Sequence, residues 1–233
     1  MKLTGFAGIV ALLGAAASAQ ATNLVLNGSF ETTTLLQSGR LSNTAANWST
    51  NSYTFLVFPG TAQGDISGNN SGVSLYPGIT NTMPATSPAG GNFVAADSNF
   101  QTGTISQQIN GLVIGANYSL SFYQAAAQQT GFNGATNDKF QVTLGAQTKL
   151  SDVMNNASHD FTPWAQQTLI FTATATSELL SFLAQSTSSG APPFALLDGV
   201  SLTQTPEPAT VWMLGGALLA LSAGVRKARA KKR

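Results

Sequence analysis

Between residues 117 and 124 the sequence reads Asn-Tyr-Ser-Leu-Ser-Phe-Tyr-Gln, a run in which apolar and polar side chains alternate. Successive side chains of a β-strand point to opposite faces, so Tyr118, Leu120 and Phe122 share one face. Such alternation is typical of an antiparallel sheet that buries one face and wets the other. This segment therefore predicts a strand of an all-β domain.

The same alternation recurs along the chain, with turn residues between the segments. Apolar side chains are spaced by two residues within 138–144, 167–175, 180–184 and 196–202. Residues 59–92 are rich in Gly, Asn, Ser and Pro and predict a long loop region. Gly111 and Gly115 predict a turn that leads into the next strand. Because no helix-length amphipathic stretch occurs between the two ends, the pattern predicts an antiparallel β-sandwich or jelly roll.

Composition and charge divide the 233 residues into unlike parts. Charged residues make up 8% of the chain, against a usual ~25%, and the mean hydropathy is only +0.10. These values exclude a membrane bundle, a coiled coil and a charge-rich disordered chain. The net charge of +1 combines +1 from Lys2, −5 over residues 22–205 and +5 over residues 206–233. Since the basic charge lies at one end, no nucleic-acid partner is expected.

The N-terminus predicts export. Lys2 precedes a run from Leu3 to Ala17 that is apolar or small, and small residues follow at 17–19. This pattern is typical of a secretory signal peptide, assigned to residues 1–21 and read by the Sec translocon. The alternative is a buried N-terminal helix. The exported domain, residues 22–205, has no cysteine, so it depends on its core or on a metal for stability.

The C-terminus carries a second targeting segment, residues 206–233. Pro206, Glu207 and Pro208 interrupt regular structure, and residues 209–225 then contain no charge. As a helix this stretch is about 25 Å long, close to the shortest membrane span. Residues 226–233 are strongly basic, so the positive-inside rule leaves them in the cytoplasm and sends the domain across the membrane. A plain tail anchor has the same geometry.

This ensemble resembles the PEP-CTERM sorting signal of Gram-negative, exopolysaccharide-producing bacteria. The resemblance covers residues 206–233 and implies recognition of Pro206, Glu207 and Pro208 by an exosortase, an integral-membrane cysteine protease-transpeptidase. It also implies transient anchoring in the inner membrane with a cytoplasmic C-terminus. After processing, the protein would reach the cell surface or the extracellular space. The basic tail is longer and richer in Lys than is usual for the family.

The exported domain resembles galactose-binding-like jelly rolls, the fold of many carbohydrate-binding modules. The resemblance begins with an expected opening strand at residues 23–31 and continues in order through residues 47–48, 91–94, 105–109, 118–122, 164, 171–173 and 197–202. It implies that acidic residues of the first and last strands hold a structural calcium, here Glu31 and Asp198. Only half of the usual closing Asp pair is present, and Ca²⁺ needs 6–8 oxygen ligands. The alternative is two solvated or hydrogen-bonded carboxylates.

Aromatic residues near the predicted loop region are the candidate ligand contacts, because sugar rings stack on aromatic planes. They are Tyr53, Phe55, Phe58 and Tyr76. Exposed rings on a concave face would favour binding, and burial of all four would favour a purely structural role. The jelly-roll resemblance places Trp48, Tyr123 and Trp164 in the core instead.

No catalytic constellation is indicated by the sequence. His159 and Asp160 are adjacent, but no Gly-x-Ser-x-Gly elbow accompanies them, so His159 is interpreted as a loop histidine. The prediction is a non-catalytic cell-surface or matrix protein that associates with exopolysaccharide or another glycan. A structural biofilm protein without a specific ligand is the main alternative, and a secreted hydrolase is a weaker one.

Overall fold

The computed structural model describes residues 22–51, 53–187 and 192–206. Within these ranges the chain forms twelve β-strands and no helix, which confirms the all-β prediction. Pro206 is exposed at the end of the last range. The predicted signal peptide, Glu207, Pro208, the apolar stretch 209–225 and the basic tail lie outside the described residues. In the part that is described, no helix has the length and apolarity needed to cross a membrane.

Two antiparallel sheets of six strands each make up the domain. In chain order the strands are β1 (Gly39–Arg40), β2 (Ser49–Thr50), β3 (Thr54–Val57), β4 (Phe93–Asp97), β5 (Thr104–Asn110), β6 (Asn117–Gln128), β7 (Thr136–Leu144), β8 (Gln147–Leu150), β9 (Met154–Asn156), β10 (Ala165–Thr172), β11 (Ser177–Gln185) and β12 (Pro193–Gln204). The first sheet has the order β1-β3-β4-β12-β6-β10. The second has the order β2-β5-β11-β7-β8, with β9 also paired to β7. The chain is therefore an antiparallel β-sandwich, as predicted.

The main core lies between the sheets and uses the alternating residues of the predicted strands. Tyr118, Leu120 and Phe122 of β6 are all buried in it. Phe122 makes edge contacts with Phe140 of β7 and Phe182 of β11, at ring-centroid distances of 6.2 and 5.2 Å. Burial of large aromatic rings is a major source of stability in a chain without disulfides.

The first sheet is buried on both faces over much of its length. In β3, β4, β6 and β12, residues that alternate with the main core pack into a second cluster on the outer face. Its members from these strands are Phe55, Val57, Phe93, Ala95, Ala125, Ala127, Phe194 and Leu196. The expectation of strands buried on one face only is therefore wrong for β6 and β12, because another part of the chain covers the outer face of this sheet.

The cover is formed by the predicted loop region. Residues 58–92 contain no regular strand, which confirms the loop prediction, and one isolated bridge joins Leu75 to Gln129. The segment nevertheless has a core of its own, because its apolar side chains pack onto the outer face of the first sheet. They are Ala62, Ile66, Val73, Leu75 and Met83. We call residues 58–92 the cover segment.

The expected opening strand at residues 23–31 does not form. Only an isolated bridge joins Asn23 to Thr203, and the backbone then turns, with positive φ at Asn27 (51°) and Phe30 (59°). Gly28 passes so close to β12 that a Cβ there would lie 1.9 Å from the Val200 carbonyl oxygen. This tight approach replaces ladder pairing, although Phe30 is still buried in the main core.

The described chain ends where β6 begins. The Thr205 backbone N–H donates to the Asn117 carbonyl oxygen at 2.8 Å. We call this the exit end, and its turns span residues 111–116, 145–146 and 173–176. Gly111 and Gly115 have φ of 81° and 84°, which confirms the predicted turn. The loops 98–103, 129–135 and 157–164 lie at the opposite end of the sandwich.

Candidate functional site

A polar cleft opens where the edge strand β10 faces the segment around β9. Its volume is about 580 Å³. Nine of its fifteen lining residues are polar, among them Gln124 of β6, Asp152, Asn155 of β9 and Gln167 of β10. Asp152 and Asn155 are exposed, whereas Gln124 and Gln167 are buried. The cleft therefore presents amide and carboxylate groups to solvent on a buried polar base.

The base of the cleft holds Asp152 in place. The Gln167 side chain accepts the Asp152 backbone N–H at 3.1 Å and donates to Oδ2 of Asp152 at 3.3 Å. Nε2 of Gln124 donates to the Asp152 carbonyl oxygen at 2.9 Å. Oε1 of Gln124 is buried and accepts no hydrogen bond among the described residues. Buried hydrogen-bond acceptors are nearly always paired, so Oε1 of Gln124 is an unusual acceptor in the cleft wall.

The rest of the wall is built around Asp160. Its Oδ1 accepts the backbone N–H groups of residues 79, 80, 81 and 161, at 2.9 to 3.1 Å. Burial raises the pKa of Asp160, but the amides of Asn81, Phe161 and Ile79 lower it more strongly, to about 2. An ionised carboxylate is favoured by several donated hydrogen bonds. Asp160 thus joins the cover segment to the cleft.

His159 lies in a turn, which confirms its interpretation as a loop histidine. Its Nε2 is 2.6 Å from Oδ1 of Asn133, and its ring stacks on Tyr76 at a centroid distance of 4.3 Å. The Asp160 carboxylate binds the backbone amides described above. His159 and Asp160 are adjacent in the sequence, but they have separate sets of contacts.

The four predicted ligand-contact rings have different environments, and none lines the cleft. Phe55 is fully buried in the second cluster. Its assignment as a ligand contact is therefore wrong, because the cover segment closes over that face. Tyr53 is half-buried, 4.6 Å edge-on from Phe55 and under the Arg40 guanidinium. Phe58 is half-buried against the main core, and Tyr76 is half-buried against His159.

Of the three aromatic residues expected in the core, Trp48 is buried in the main core, as predicted. Tyr123 and Trp164 are only half-buried. Trp164 packs on the second cluster, and its Nε1 is buried without a partner among the described residues. Tyr123 alternates with Phe122 and so faces away from the main core. These two rings form a secondary aromatic candidate on the outer face of the first sheet.

Sequence reasoning missed the cleft residues, although one signal was present. Gln124 follows Tyr118, Leu120 and Phe122 at the same spacing of two, so it occupies an inward position of its strand. Gln167 likewise precedes Leu169 and Phe171 on one face. A long polar side chain at an inward position requires hydrogen-bond partners, and here the partner is Asp152.

Glu31 and Asp198, the predicted calcium ligands, lie within electrostatic reach of each other. Asp198 is fully buried, its carboxylate accepts the Ser87 hydroxyl, and it accepts the Gly199 N–H at 2.7 Å. Burial, with a smaller contribution from the charge of Glu31, raises the pKa of Asp198 to about 7 against the lowering effect of the hydrogen bonds from Ser87 and Gly199. Glu31 is exposed, and its Oε1 accepts the Asn92 N–H at 2.7 Å.

Glu31, Ser87 and Asp198 supply only part of a coordination shell for a hard divalent cation. Two carboxylates and a hydroxyl supply oxygen donors of the type that Ca²⁺ prefers, and a cation would offset the repulsion between Glu31 and Asp198. Within the described residues no group of three or more His, Cys, Asp or Glu side chains is suited to hold a metal. Backbone carbonyl oxygens or water would therefore complete the coordination shell.

A second concavity of about 480 Å³ lies near the 98–103 loop. It contains Asp138, which is buried and accepts the Ser98 hydroxyl. Burial, with a smaller contribution from the charge of Asp97, raises the pKa of Asp138 to about 7, although the hydroxyl groups of Ser98 and Thr136 lower it. The sequence did not predict this buried carboxyl group.

Comparison with known proteins identifies a distant sequence relative and several structural neighbours. No family model matches the chain. Over 201 residues, 85% of this chain, it is 31% identical to halomucin of Haloquadratum walsbyi. The chain spans only about 2% of the length of that protein.

Among solved structures, the chain is similar to TmCBM61 in complex with β-1,4-galactotriose, with a TM-score of 0.41 and 12% identity over 79% of this chain and 99% of that one. It is also similar to the CBM22-1 xylan-binding domain of Paenibacillus barcinonensis Xyn10C, with a TM-score of 0.39 and 14% identity over 82% and 100%. The K2 adhesin domain of Lys-gingipain has a TM-score of 0.41 and 13% identity over 80% and 98%. Because all three TM-scores are below 0.5, the fold assignment rests on the strand pairing described above.

Proposed function

We propose that the chain is an exported, non-catalytic domain that binds a glycan in the polar cleft. The observation that carries this proposal is the exposed side chain of Asp152, whose backbone is held by Gln124 and Gln167 and whose carboxylate accepts a hydrogen bond from Nε2 of Gln167. Sugar hydroxyls both donate and accept hydrogen bonds, so they match a surface of amides and carboxylates. Groups that are already fixed lose little conformational entropy when a ligand binds.

The targeting part of the proposal rests on the sequence. Residues 1–21 direct the chain to the Sec translocon, and residues 209–225 hold it in the inner membrane with the basic tail in the cytoplasm. An exosortase-type protease then acts at Pro206, Glu207 and Pro208 and sends the domain to the cell surface or the extracellular matrix. The mature domain has a net charge of −5, so its glycan would be neutral or, with Ca²⁺ as a bridge, acidic.

Glycan binding is tested with the purified full chain on an array of neutral and acidic oligosaccharides. For any glycan retained, Asp152→Asn should weaken binding at least about tenfold, the equivalent of one charge-assisted hydrogen bond, and Asn155→Ala about three- to tenfold, the equivalent of a neutral one. Asn110→Ala removes an exposed amide at the exit end and should leave binding unchanged. Retention no better than that of an unrelated sandwich domain would exclude the proposal.

Binding that survives both cleft variants would place the glycan elsewhere, and Trp164→Ala would then test the half-buried rings of Tyr123 and Trp164.

The sorting step has its own test, the intact mass of the exported protein. Loss of the residues after about Thr205 is expected, whereas a full-length C-terminus would indicate a plain tail anchor.

A structural matrix protein without a specific ligand is the second candidate function. It is favoured by the complete burial of Phe55 and the partial burial of Tyr53, Phe58 and Tyr76. In that case a hydrated surface of Asn, Gln, Ser and Thr would be the functional property. The array experiment separates the two functions.

A further inference from the structure

The turn between β5 and β6 exposes two adjacent large apolar side chains. Val113 and Ile114 are 55% and 63% exposed, between Gly111 and Gly115. Neither side chain is among the buried residues of the two apolar clusters or those packed against them. Transfer of such side chains from water to a membrane interface is favourable, because it removes apolar surface from water.

The turn is held firmly, so it presents these side chains in a fixed position. Leu112 is buried, and its N–H donates to the Thr176 carbonyl oxygen at 3.1 Å. The Val113 N–H donates to the hydroxyl of Tyr118 at 2.9 Å, and the Gly115 N–H donates to the Ala173 carbonyl oxygen at 2.8 Å. Burial of Leu112 thus anchors the turn, while Val113 and Ile114 remain outside.

This turn lies beside the point where the described chain stops. The Thr205 N–H and hydroxyl both donate to the carbonyl oxygen of Asn117, at 2.8 and 3.0 Å. Asn117 follows Ile114 by three residues, a backbone length of at most about 11 Å. Residues 206–208, which separate Thr205 from the apolar stretch 209–225, also span at most about 11 Å. If that stretch enters a bilayer, the turn is therefore within reach of the bilayer surface.

The charge near the turn is compatible with such a contact. Glu178 is the acidic residue of the neighbouring 173–176 turn and the start of β11. Its carboxylate is buried and accepts the backbone N–H groups of Thr174 and Ala175, at 2.7 and 3.0 Å. The carboxylate is thus directed into the protein, so it does not oppose approach to an anionic lipid surface.

We propose that Val113 and Ile114 contact the lipid bilayer while residues 209–225 anchor the chain. The proposal rests on the membrane anchoring in the proposed function, but it does not depend on glycan binding. The contact would orient the sandwich with its exit end on the membrane. The 98–103, 129–135 and 157–164 loops would then face away from the bilayer.

The test uses the absence of cysteine from the chain. In the full chain, Ile114→Cys is labelled with an environment-sensitive fluorophore and reconstituted into phosphatidylethanolamine/phosphatidylglycerol vesicles that contain a doxyl-labelled lipid quencher. Phe100→Cys is the matched control, because Phe100 is a large apolar residue, 80% exposed, in a loop at the opposite end. We expect quenching at position 114 to exceed quenching at position 100 by at least about twofold.

Thermal unfolding of both variants checks that the labels leave the fold intact, and Val113→Cys repeats the measurement if Ile114→Cys unfolds. Equal quenching at the two ends of a chain that floats with the vesicles would overturn the contact alone. A chain that fails to float with the vesicles would overturn the membrane anchor and this contact together, while the glycan array would still test the cleft.

Discussion

At the scale of single residues, the few carboxylates of this domain are used mainly inside it. Asp97, Asp138, Asp160, Glu178 and Asp198 are all buried, in a region that has eight acidic residues. Their environments differ. Asp160 accepts four backbone amides, whereas Asp138 is surrounded by hydroxyl groups and lies near Asp97. Burial raises the pKa of both carboxyl groups; the backbone amides reverse that rise at Asp160, whereas the hydroxyl groups at Asp138 do not.

Asp138 predicts a pH dependence of stability. Burial raises its pKa in the folded protein to about 7, above the ordinary value of 3.8. The unfolded chain therefore releases this proton at lower pH than the folded chain does. The stabilising contribution of the protonated carboxyl is complete below pH ~3.8 and is lost as the pH rises towards 7.

Asp138→Asn should remove this contribution. The melting temperature of the wild type, relative to that of the variant, should fall as the pH is raised from 4.5 to 7.5. The difference between the two proteins isolates Asp138, because Asp198 titrates in both. If the melting temperatures of the two proteins changed with pH in the same way over this range, the assignment of the raised pKa to Asp138 would be contradicted.

At the scale of elements, the first sheet shows why the alternation of apolar and polar residues did not predict all of the buried surface. Residues 93–96 and 194–197 read Phe-Val-Ala-Ala and Phe-Ala-Leu-Leu, with no polar residue between the apolar ones. Runs of this kind are typical of strands buried on both faces. The signal was in the sequence, but the covering element was not recognisable, because the cover segment has the composition of an exposed loop.

The cover segment should contribute to stability through its buried side chains. Ile66 is fully buried in the second cluster, so Ile66→Ala should lower the free energy of unfolding by about 2–4 kcal/mol through lost burial and a residual cavity. Ile79→Ala is the matched control, because Ile79 belongs to the same segment and is 73% exposed. It should change stability by less than about 0.5 kcal/mol.

Denaturant unfolding measures both changes, and amide hydrogen exchange of the cover segment shows whether Ile66→Ala loosens it locally. Equal effects of the two substitutions would mean that the segment does not pack on the sheet as described.

At the scale of the whole molecule, distant parts of the chain meet at two places. Glu31, near the start of the domain, approaches Asp198 of the last strand, with Ser87 of the cover segment beside it. At the exit end, Asn23 bridges to Thr203, and Thr205 bonds to Asn117. Since β12 takes part in both, it ties the beginning of the domain to its end.

If Glu31 and Asp198 bind calcium, the free energy of unfolding should rise by mass action when calcium is added. At a free concentration of about 100 times Kd, a ligand of the folded state adds about 2.7 kcal/mol, equivalent to roughly 5–10 °C in Tm for a domain of this size. Asp198→Asn should abolish the increase. Asp65→Asn should retain it, because Asp65 is an exposed residue whose partners include Ser67 and lie apart from this pair. Differential scanning calorimetry with and without EGTA measures the change, and an unchanged wild-type Tm would exclude the site.

The strands and their inward faces were determined by the sequence itself, because alternation at a spacing of two is a local property of each segment. Tyr118, Leu120 and Phe122 lie in the core for that reason, and Gln124 follows them. Only the tertiary structure decided which surfaces were covered and which side chains met. Phe55 was closed off by residues far along the chain, and Asp152 was brought to Gln124 and Gln167. Such contacts depend on how one segment packs against another, and the spacing of residues within either segment does not determine that packing.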